Sequence, residues 1–495
     1  MERNPLLDRP KEELVEIILQ QGRRIEELMK RLEEVEKRLQ ERNPTERLAQ
    51  AYSLKAEEQR QAKAAGRSGR RQQNSPRRGR ISKAEKLAKA TQQENVLPPG
   101  RTVEECRWRY SRVVWRIRLG QAVLVRYDVC IGPDGVVPPI DGVYPKCEFG
   151  REIILALAWN NFVVGMSLDK AIAVQDFYTS LKLSKSQADR LLNRLMKEWL
   201  PEFDALCQLL AVSAVVHADE TGWSLNSAWT FLSELVRVTI FGCHKDGDTL
   251  AKLLDKSTFK GFFVSDHAAV YNGFSKAQKC CVHLLRKGFK LTLLQPENVR
   301  YRQFSDALLK IYRRGNEVAA DATLTDDDRQ KHVEKLTAEV LALTTNSVDN
   351  TAPLTAAEKA FRNLNQEVIN ILAAGELFTF VRHPEVPGHN NSVEQAQRQY
   401  SQDRQICRAS KTAHGCRRRT VIGSTLNSLR CHLPKVTLQT VLEEVNRWSV
   451  AGISCFRQMV KALNLPAPTL PEGVHSRLDQ LVPLTPPAPA PVPTG

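Results

Sequence analysis

The sequence predicts an α/β fold: a strand-and-helix core with a helical insertion, preceded by a coiled coil and a small β-rich and helical region. Three observations carry this. Two short apolar runs, Ala214-Val-Val-His-Ala-Asp219 and Gly261-Phe-Phe-Val-Ser-Asp266, each end in an acid, as strands do when they deliver chemistry to the C-terminal edge of an α/β sheet. Helical periodicity lies on both sides of this pair. Far downstream, Asn390-Asn-Ser-Val-Glu394 reads as a helix start carrying a third acid.

Composition bounds the possibilities. A chain of 495 residues has room for two or three domains. With 42% hydrophobic and 26% charged residues it is globular in the main. Lys plus Arg number 72 against 56 for Asp plus Glu, a net +16 that favours a polyanionic partner, nucleic acid first and an anionic membrane surface second. No apolar run approaches a membrane span and the first residues lack a signal-peptide core, so a cytoplasmic, nucleoid-associated protein is expected. Eleven scattered cysteines, an odd count, point to free thiols.

Taken in order, residues 1–45 carry Leu14, Ile18, Gln21, Ile25, Leu28, Leu32, Val35 and Leu39 in a heptad seam. Such a seam predicts a coiled coil and a homodimer or higher homo-oligomer through residues 11–42, against the alternative of one amphipathic helix packed on its own protein. Residues 46–98 are poor in apolar side chains and rich in cations, among them Arg67, Arg70, Arg71, Arg77, Arg78, Arg80, Lys83, Lys86 and Lys89. They read as a flexible basic arm that neutralises DNA phosphates, or as a solvated linker. Residues 99–150 read as β, with runs at 112–118 and 121–131 broken at Gly120. Their cysteines, Cys106, Cys130 and Cys147, lack the close pairing of a structural zinc site and are expected as buried apolar residues.

Residues 151–212 are helical, with Ser167 and Ser184 as cap candidates. The two helices they open are joined by Leu181-Lys-Leu183, a possible helix-turn-helix with Lys185, Gln187 and Arg190 on its reading helix. A helical brace for the core is an equal alternative. Residues 213–445 read as one α/β domain, with strands at 214–219, across 228–241 and before Asp266, and a short helix around 249–254. Lys279-Cys-Cys-Val-His-Leu-Leu-Arg286 reads as a further strand. A helical insertion of about 296–385 holds three helical patterns, separated at Asp326-Asp-Asp328 and at Val348-Asp-Asn-Thr-Ala-Pro353. After Glu394 come Arg398, Arg404 and further cations, then helices over 421–429 and 438–448. Residues 446–495 comprise a C-terminal helix and a Pro-rich tail, expected to be extended and disordered from Leu465 onward.

Four segments in this order, His217-Ala-Asp-Glu-Thr-Gly-Trp223, Val264-Ser-Asp-His-Ala-Ala-Val-Tyr271, Cys281-Val-His-Leu-Leu-Arg286 and Asn390-Asn-Ser-Val-Glu394, resemble the insertion-sequence-66 group of DDE transposases over roughly residues 150–445. The resemblance implies a ribonuclease-H-like core that cuts double-stranded DNA at transposon ends and joins it to target DNA, with accessory transposition proteins as possible partners. It implies Asp219, Asp266 and Glu394 as the acids that hold Mg²⁺ or Mn²⁺. That chemistry needs a hydroxyl nucleophile activated and a leaving oxygen stabilised on opposite sides of one phosphorus, a task for two divalent ions held by carboxylates. Members of the group often carry two Cys-x-x-Cys pairs near residues 101–150, and this chain departs from that pattern.

Plainer readings stand beside these. Asp219 can cap a turn while Glu220, facing the other side of the strand, serves as the acid. Asp266 can cap a helix directly after it. By spacing alone Glu394 is best read as part of a capping box or as a partner for Arg398, and the Asn-Asn-x-x-Glu resemblance reverses that preference. Cys280, Cys281 and His283 suggest a metal-ligand set, but adjacent cysteines on a strand face opposite ways, so a structural or substrate-contacting role is expected for His283. His217 shares the strand face of Asp219, and Trp223 is either core or a base-stacking surface. Two other functions stay open: a catalytically idle dimeric DNA-binding descendant, and a coiled-coil assembly protein that binds RNA or membranes.

Overall fold

The computed structural model describes residues 82–347, 354–406, 408–467 and 470–484. The heptad seam of residues 11–42 and the arginines at 67–80 lie outside them. Ser82 opens helix α1 (Lys83–Ala88) with a capping box: its hydroxyl accepts Glu85 N at 3.1 Å and Glu85 Oε2 accepts Ser82 N at 2.8 Å. The last part of the stretch expected as a flexible arm is therefore folded. Strands β1 (Gln92–Val96), β2 (Arg107–Arg118) and β3 (Gln121–Ile131) form a sheet of order β1-β3-β2, with β1 parallel to β3 and β2 antiparallel to it. The two-residue link Leu119-Gly120 has φ of 50° and 77°, the doubly positive turn that matches strand twist. A short edge strand of Gln, Glu and Asn hardly differs in composition from a linker, which is why β1 is hidden in the sequence.

Four helices come next: α2 (Arg151–Ala158), α3 (Leu168–Thr179), α4 (Lys185–Glu198) and α5 (Leu200–Ala211). A π-helical turn, Trp159–Val163, extends α2. Ser167 and Ser184 cap α3 and α4 as their positions predict, and Gln187 completes a capping box with Ser184. Leu191, Leu192 and Leu195 of α4 are buried at helical spacing, together with Phe203, Leu206 and Leu210 of α5.

The central sheet runs β6-β5-β4-β7-β8, with β4 (Val215–Gly222), β5 (Ser227–Leu232), β6 (Arg237–Cys243), β7 (Phe262–Ser265) and β8 (Ala277–Lys279). The meander β4-β5-β6 is antiparallel, whereas β4-β7-β8 is parallel. Helix α6 (Gly247–Leu253) fills the crossover from β6 to β7. Because His217 pairs with Val264, Asp219 and Asp266, each two residues further on, come level at the same end of adjacent strands.

Beyond Lys279 the expected strand does not continue: α7 (Cys281–Leu294) starts there, so Cys280 and His283 share one turn of chain at a helix start. α7 packs with α8 (Val299–Ala320), α9 (Asp326–Ser347), α10 (Ala356–Ala373) and α11 (Thr379–Arg382) around a second apolar core that includes Tyr301, Phe304, Phe361 and Phe380. Asp326, Asp327 and Asp328 lie inside the first turn of α9, where a helix dipole favours them, and do not form a separator. Helices α12 (Asn391–Gln405), α13 (Ala413–His432), α14 (Leu438–Ala451) and α15 (Cys455–Ala462) return to the larger core.

The stretch after Leu465 also differs from expectation. It carries α16 (Arg477–Leu481), whose Leu478 and Leu481 are buried. The buried guanidinium of Arg417 donates to the carbonyls of Leu478 and Val482 at 3.2 and 2.9 Å and pairs with Asp479 at 2.5 Å. Buried apolar side chains and one distant cation outweigh the surrounding prolines here.

Candidate active site

Four elements meet at the open end of the central sheet. β4 brings Asp219 and Glu220, the loop after β7 brings Asp266, the start of α7 brings Cys280, His283 and Arg286, and the first turn of α12 brings Glu394. Asn390, fully buried, ties them together. Its Nδ2 donates to the Ala218 carbonyl at 2.7 Å, its Oδ1 meets His217 Nδ1 at 3.1 Å, and its backbone N–H points at Cys280 Sγ at 3.2 Å. Cys280 N in turn donates to the Ser265 carbonyl at 2.9 Å. α12 already includes Asn391, and its N-cap Asn390 makes no side-chain bond to the helix, so the capping box of Asn391 with Glu394 does not form.

The three candidate acids stand in different settings. Burial, then the charges of Asp266, Glu220 and Glu394, push the Asp219 carboxyl up to about 7, and the bond from Glu220 N at 2.9 Å works against them. Asp266 Oδ1 accepts Ala268 N at 2.9 Å, a local turn bond that steadies the loop. Glu394 is gripped by Arg286, at 3.1 Å from Nη1 to Oε1 and 2.7 Å from Nη2 to Oε2, and has His283 Nε2 3.6 Å away. Its partner is thus Arg286 on another helix, not Arg398. Among the described residues, the one group of three His, Cys, Asp or Glu whose ligand atoms all lie within 4.8 Å of one another is Cys280, His283 and Glu394. Asp219 and Asp266 are near enough to feel Glu394 or its neighbour His283 but stand outside that group.

Glu220 faces elsewhere. Its carboxylate takes the Tyr271 hydroxyl and pairs with Lys245, whose ammonium also lies in the field of Asp266 and Asp219. His267, beside Asp266, bridges to the helical block: Nδ1 lies 2.6 Å from Glu367 Oε1 and Nε2 lies 3.2 Å from the Cys280 carbonyl. Burial would raise the Glu367 carboxyl, but the bonds from His267 and Lys287 outweigh it and bring the group down to about 2. Lys245 and Glu367 escape a sequence reading because they reach the site, Lys245 at Glu220 and Glu367 at His267, only through tertiary packing. Arg286, inside the segment ending Leu-Leu-Arg286, carried a sequence signal.

The candidate DNA contacts occupy varied settings. Lys185 pairs with Asp169 at 2.7 Å across the two-helix unit, Gln187 is spent in its capping box, and Arg190 is exposed. The other side of α4 is tied to α13, where Arg418 takes Asp189 and reaches Asn193 Oδ1 at 2.9 Å, so α4 braces the core while showing cations outward. Arg398 is exposed, and Arg404 donates to the Gly222 carbonyl at 2.9 Å, securing the far end of β4. Trp223 is core, buried against Phe241 at 4.7 Å and under the Arg419 guanidinium at 5.2 Å. Cys130 and Cys147 are buried, as small apolar residues would be, whereas Cys106 is only partly covered. Arg67, Arg70, Arg71, Arg77, Arg78 and Arg80 lie outside the described residues.

No helix among the described residues is long and apolar enough to cross a membrane. A search of the curated proteins finds no match. Residues 146–418 match the family described as Transposase IS66 family, a span that takes in all four meeting elements of the site. With more than half of its length inside that match, the chain belongs to the IS66 family of transposases.

Proposed function

We propose that the chain is a DDE transposase that cleaves DNA at transposon ends and joins the 3′ hydroxyl to target DNA, with a ribonuclease-H-like core. The observation that carries this is the convergence of half-buried acids from separate elements: the register of β4 and β7 sets Asp219 level with Asp266, and burial together with the charges of Asp266, Glu220 and Glu394 raises the Asp219 carboxyl. Carboxylate oxygens suit hard divalent ions, so the donor set of Asp219, Asp266 and Glu394 fits Mg²⁺ or Mn²⁺. Such ions, when bound, supply the charge that activates a hydroxyl nucleophile and stabilises the leaving oxygen.

The chain's own residues do the rest. The parallel register of β4 and β7 sets Asp219 and Asp266 level, and Asn390 fixes the start of α12 against β4. Arg286 neutralises Glu394 in the free protein, and its half-exposed guanidinium can turn to a DNA phosphate when the duplex arrives. Lys245 is a second cation at the edge of the acids with the same reach. Outside the site, Lys185, Gln187, Arg190, Arg398 and Arg404, with the arginines at 67–80, supply duplex contacts, and residues 11–42 join copies of the chain.

Asp219→Asn tests the proposal, because it keeps the shape of the side chain and deletes its charge. With a duplex carrying the transposon end, the variant should bind as the parent does in a mobility-shift assay and lose more than roughly 100-fold in Mg²⁺-dependent cleavage. Undiminished cleavage would rule out the mechanism. Intact binding without cleavage in the parent itself would favour the idle descendant.

A further inference from the structure

The geometry points to a second kind of metal site: Cys280, His283 and Glu394 form a three-ligand pocket for a soft or borderline ion such as Zn²⁺, distinct in donor chemistry from the acids beside it. The ligand atoms of these three residues all lie within 4.8 Å of one another. Thiolate, imidazole and carboxylate are the ordinary zinc donors, and three protein ligands leave one position open, whereas Mg²⁺ takes oxygens alone. Cys280 precedes α7 and His283 lies in its first turn, so both project from one rigid corner. Glu394 comes from the first turn of α12, which Asn390 holds in place.

Two further features fit an ion here. The Asn390 N–H points at Cys280 Sγ at 3.2 Å, a contact that suits a sulfur carrying charge. His283 Nδ1 is buried with no hydrogen-bond partner, and Nε2 stands 3.6 Å from Glu394 Oε1, too far for a good bond. A buried ring nitrogen without a partner is costly, and an ion bound through Nδ1 relieves that cost. Binding displaces one proton from the Cys280 thiol. Arg286 must yield part of its hold on Glu394, and its side chain, 51% exposed, has the solvent room to do so.

The ion-binding claim stands on Cys280 and His283. Its consequence rests on the proposed role of Glu394 as the third acid: an ion that takes Glu394 withdraws it from Asp219 and Asp266, so Zn²⁺ inhibits Mg²⁺-dependent cleavage through a site of its own.

Co²⁺ titration of the full-length protein, followed by its thiolate charge-transfer absorption, tests the site without any activity. One Co²⁺ per chain should bind with that band, Zn²⁺ should displace it, and excess Mg²⁺ should not. Cys280→Ser should abolish the band and weaken Zn²⁺ binding by more than roughly 100-fold, and His283→Gln, which leaves the buried thiol in place, should weaken it comparably. Asp219→Asn should leave both intact. Absence of the band in the parent, its survival in Cys280→Ser, or its loss in Asp219→Asn would each overturn the assignment. In cleavage assays Zn²⁺ should inhibit the parent and spare Cys280→Ser, and equal inhibition of both would overturn the regulatory consequence. A parent without cleavage activity would defeat the transposase reading while the Co²⁺ band still decides the site.

Discussion

Asn390 donates its side-chain amide to the carbonyl of Ala218 at 2.7 Å, joining the residue before the helix of Glu394 to the residue before Asp219. Replacing Asn390 with Ala strands a buried carbonyl and removes the partner of His217. The expected cost is about 1–3 kcal/mol of stability, read as a lower midpoint in urea. Cleavage should fall further than DNA affinity, because the variant loosens the acids and leaves the surface unchanged. Equal losses in both would mean that Asn390 serves packing alone.

Asp219 sets a pH dependence of stability. Its folded carboxyl titrates near about 7, well above an unfolded aspartate, so the native state holds a proton that the unfolded chain has released. Stability of the metal-free protein should therefore decline as pH rises from about 4 to about 7. Asp219→Asn should be more stable than the parent at pH 8 by on the order of 2 kcal/mol, with the difference vanishing near pH 4. Urea melts in chelator at the two pH values check this, and added Mn²⁺ should close the gap at pH 8.

The His267–Glu367 pair has the opposite sign. Glu367 is brought down to about 2, so its contribution is fully present above the usual glutamate range and is lost as pH falls from about 4.5 toward 2. Glu367→Gln should cost about 2 kcal/mol at pH 7 and should lack the parent's loss of stability in that acid window. Acid titration followed by circular dichroism distinguishes the two proteins.

DNA contacts should divide between the arm and α4. Converting Arg67, Arg70, Arg71, Arg77, Arg78 and Arg80 to Gln should weaken end and random DNA alike and flatten the slope of log affinity against log salt by up to about 5. Replacing Lys185, Gln187 and Arg190 should instead erode the preference for end DNA. Fluorescence anisotropy over a salt series separates the outcomes, and a loss of end preference in the arm variant alone would reverse the assignment.

Much of this architecture is legible along the chain. A β-branched run that stops at an acid is a local pattern, so the strands before Asp219 and Asp266 can be read directly. The Ser184-x-x-Gln187 box announces α4 just as directly. Register is a different matter: only the pairing of His217 with Val264 makes the two acids level, and no single strand encodes it. For Glu394, local spacing favours a cap at Asn391, whereas Asn391 is already the first residue of α12 and Glu394 turns to Arg286 on another helix. The run Cys281-Val-His-Leu-Leu is short and apolar enough to suit either period. Its helical outcome, imposed by packing on the second core, is what puts Cys280 and His283 on one corner.

The long span between Ala218 and Asn390 also sets when the site can exist. A nascent chain displays both strand acids well before the tie that positions the third has been synthesised, because Asn390 follows Asp266 by 124 residues, roughly 6–25 s at about 5–20 residues per second. During that interval the first two acids lack Asn390 and the helix behind it, and contacts of such separation form late in folding. On the role proposed for the three acids, a translation product that ends before residue 390 lacks the tie and should not cut DNA.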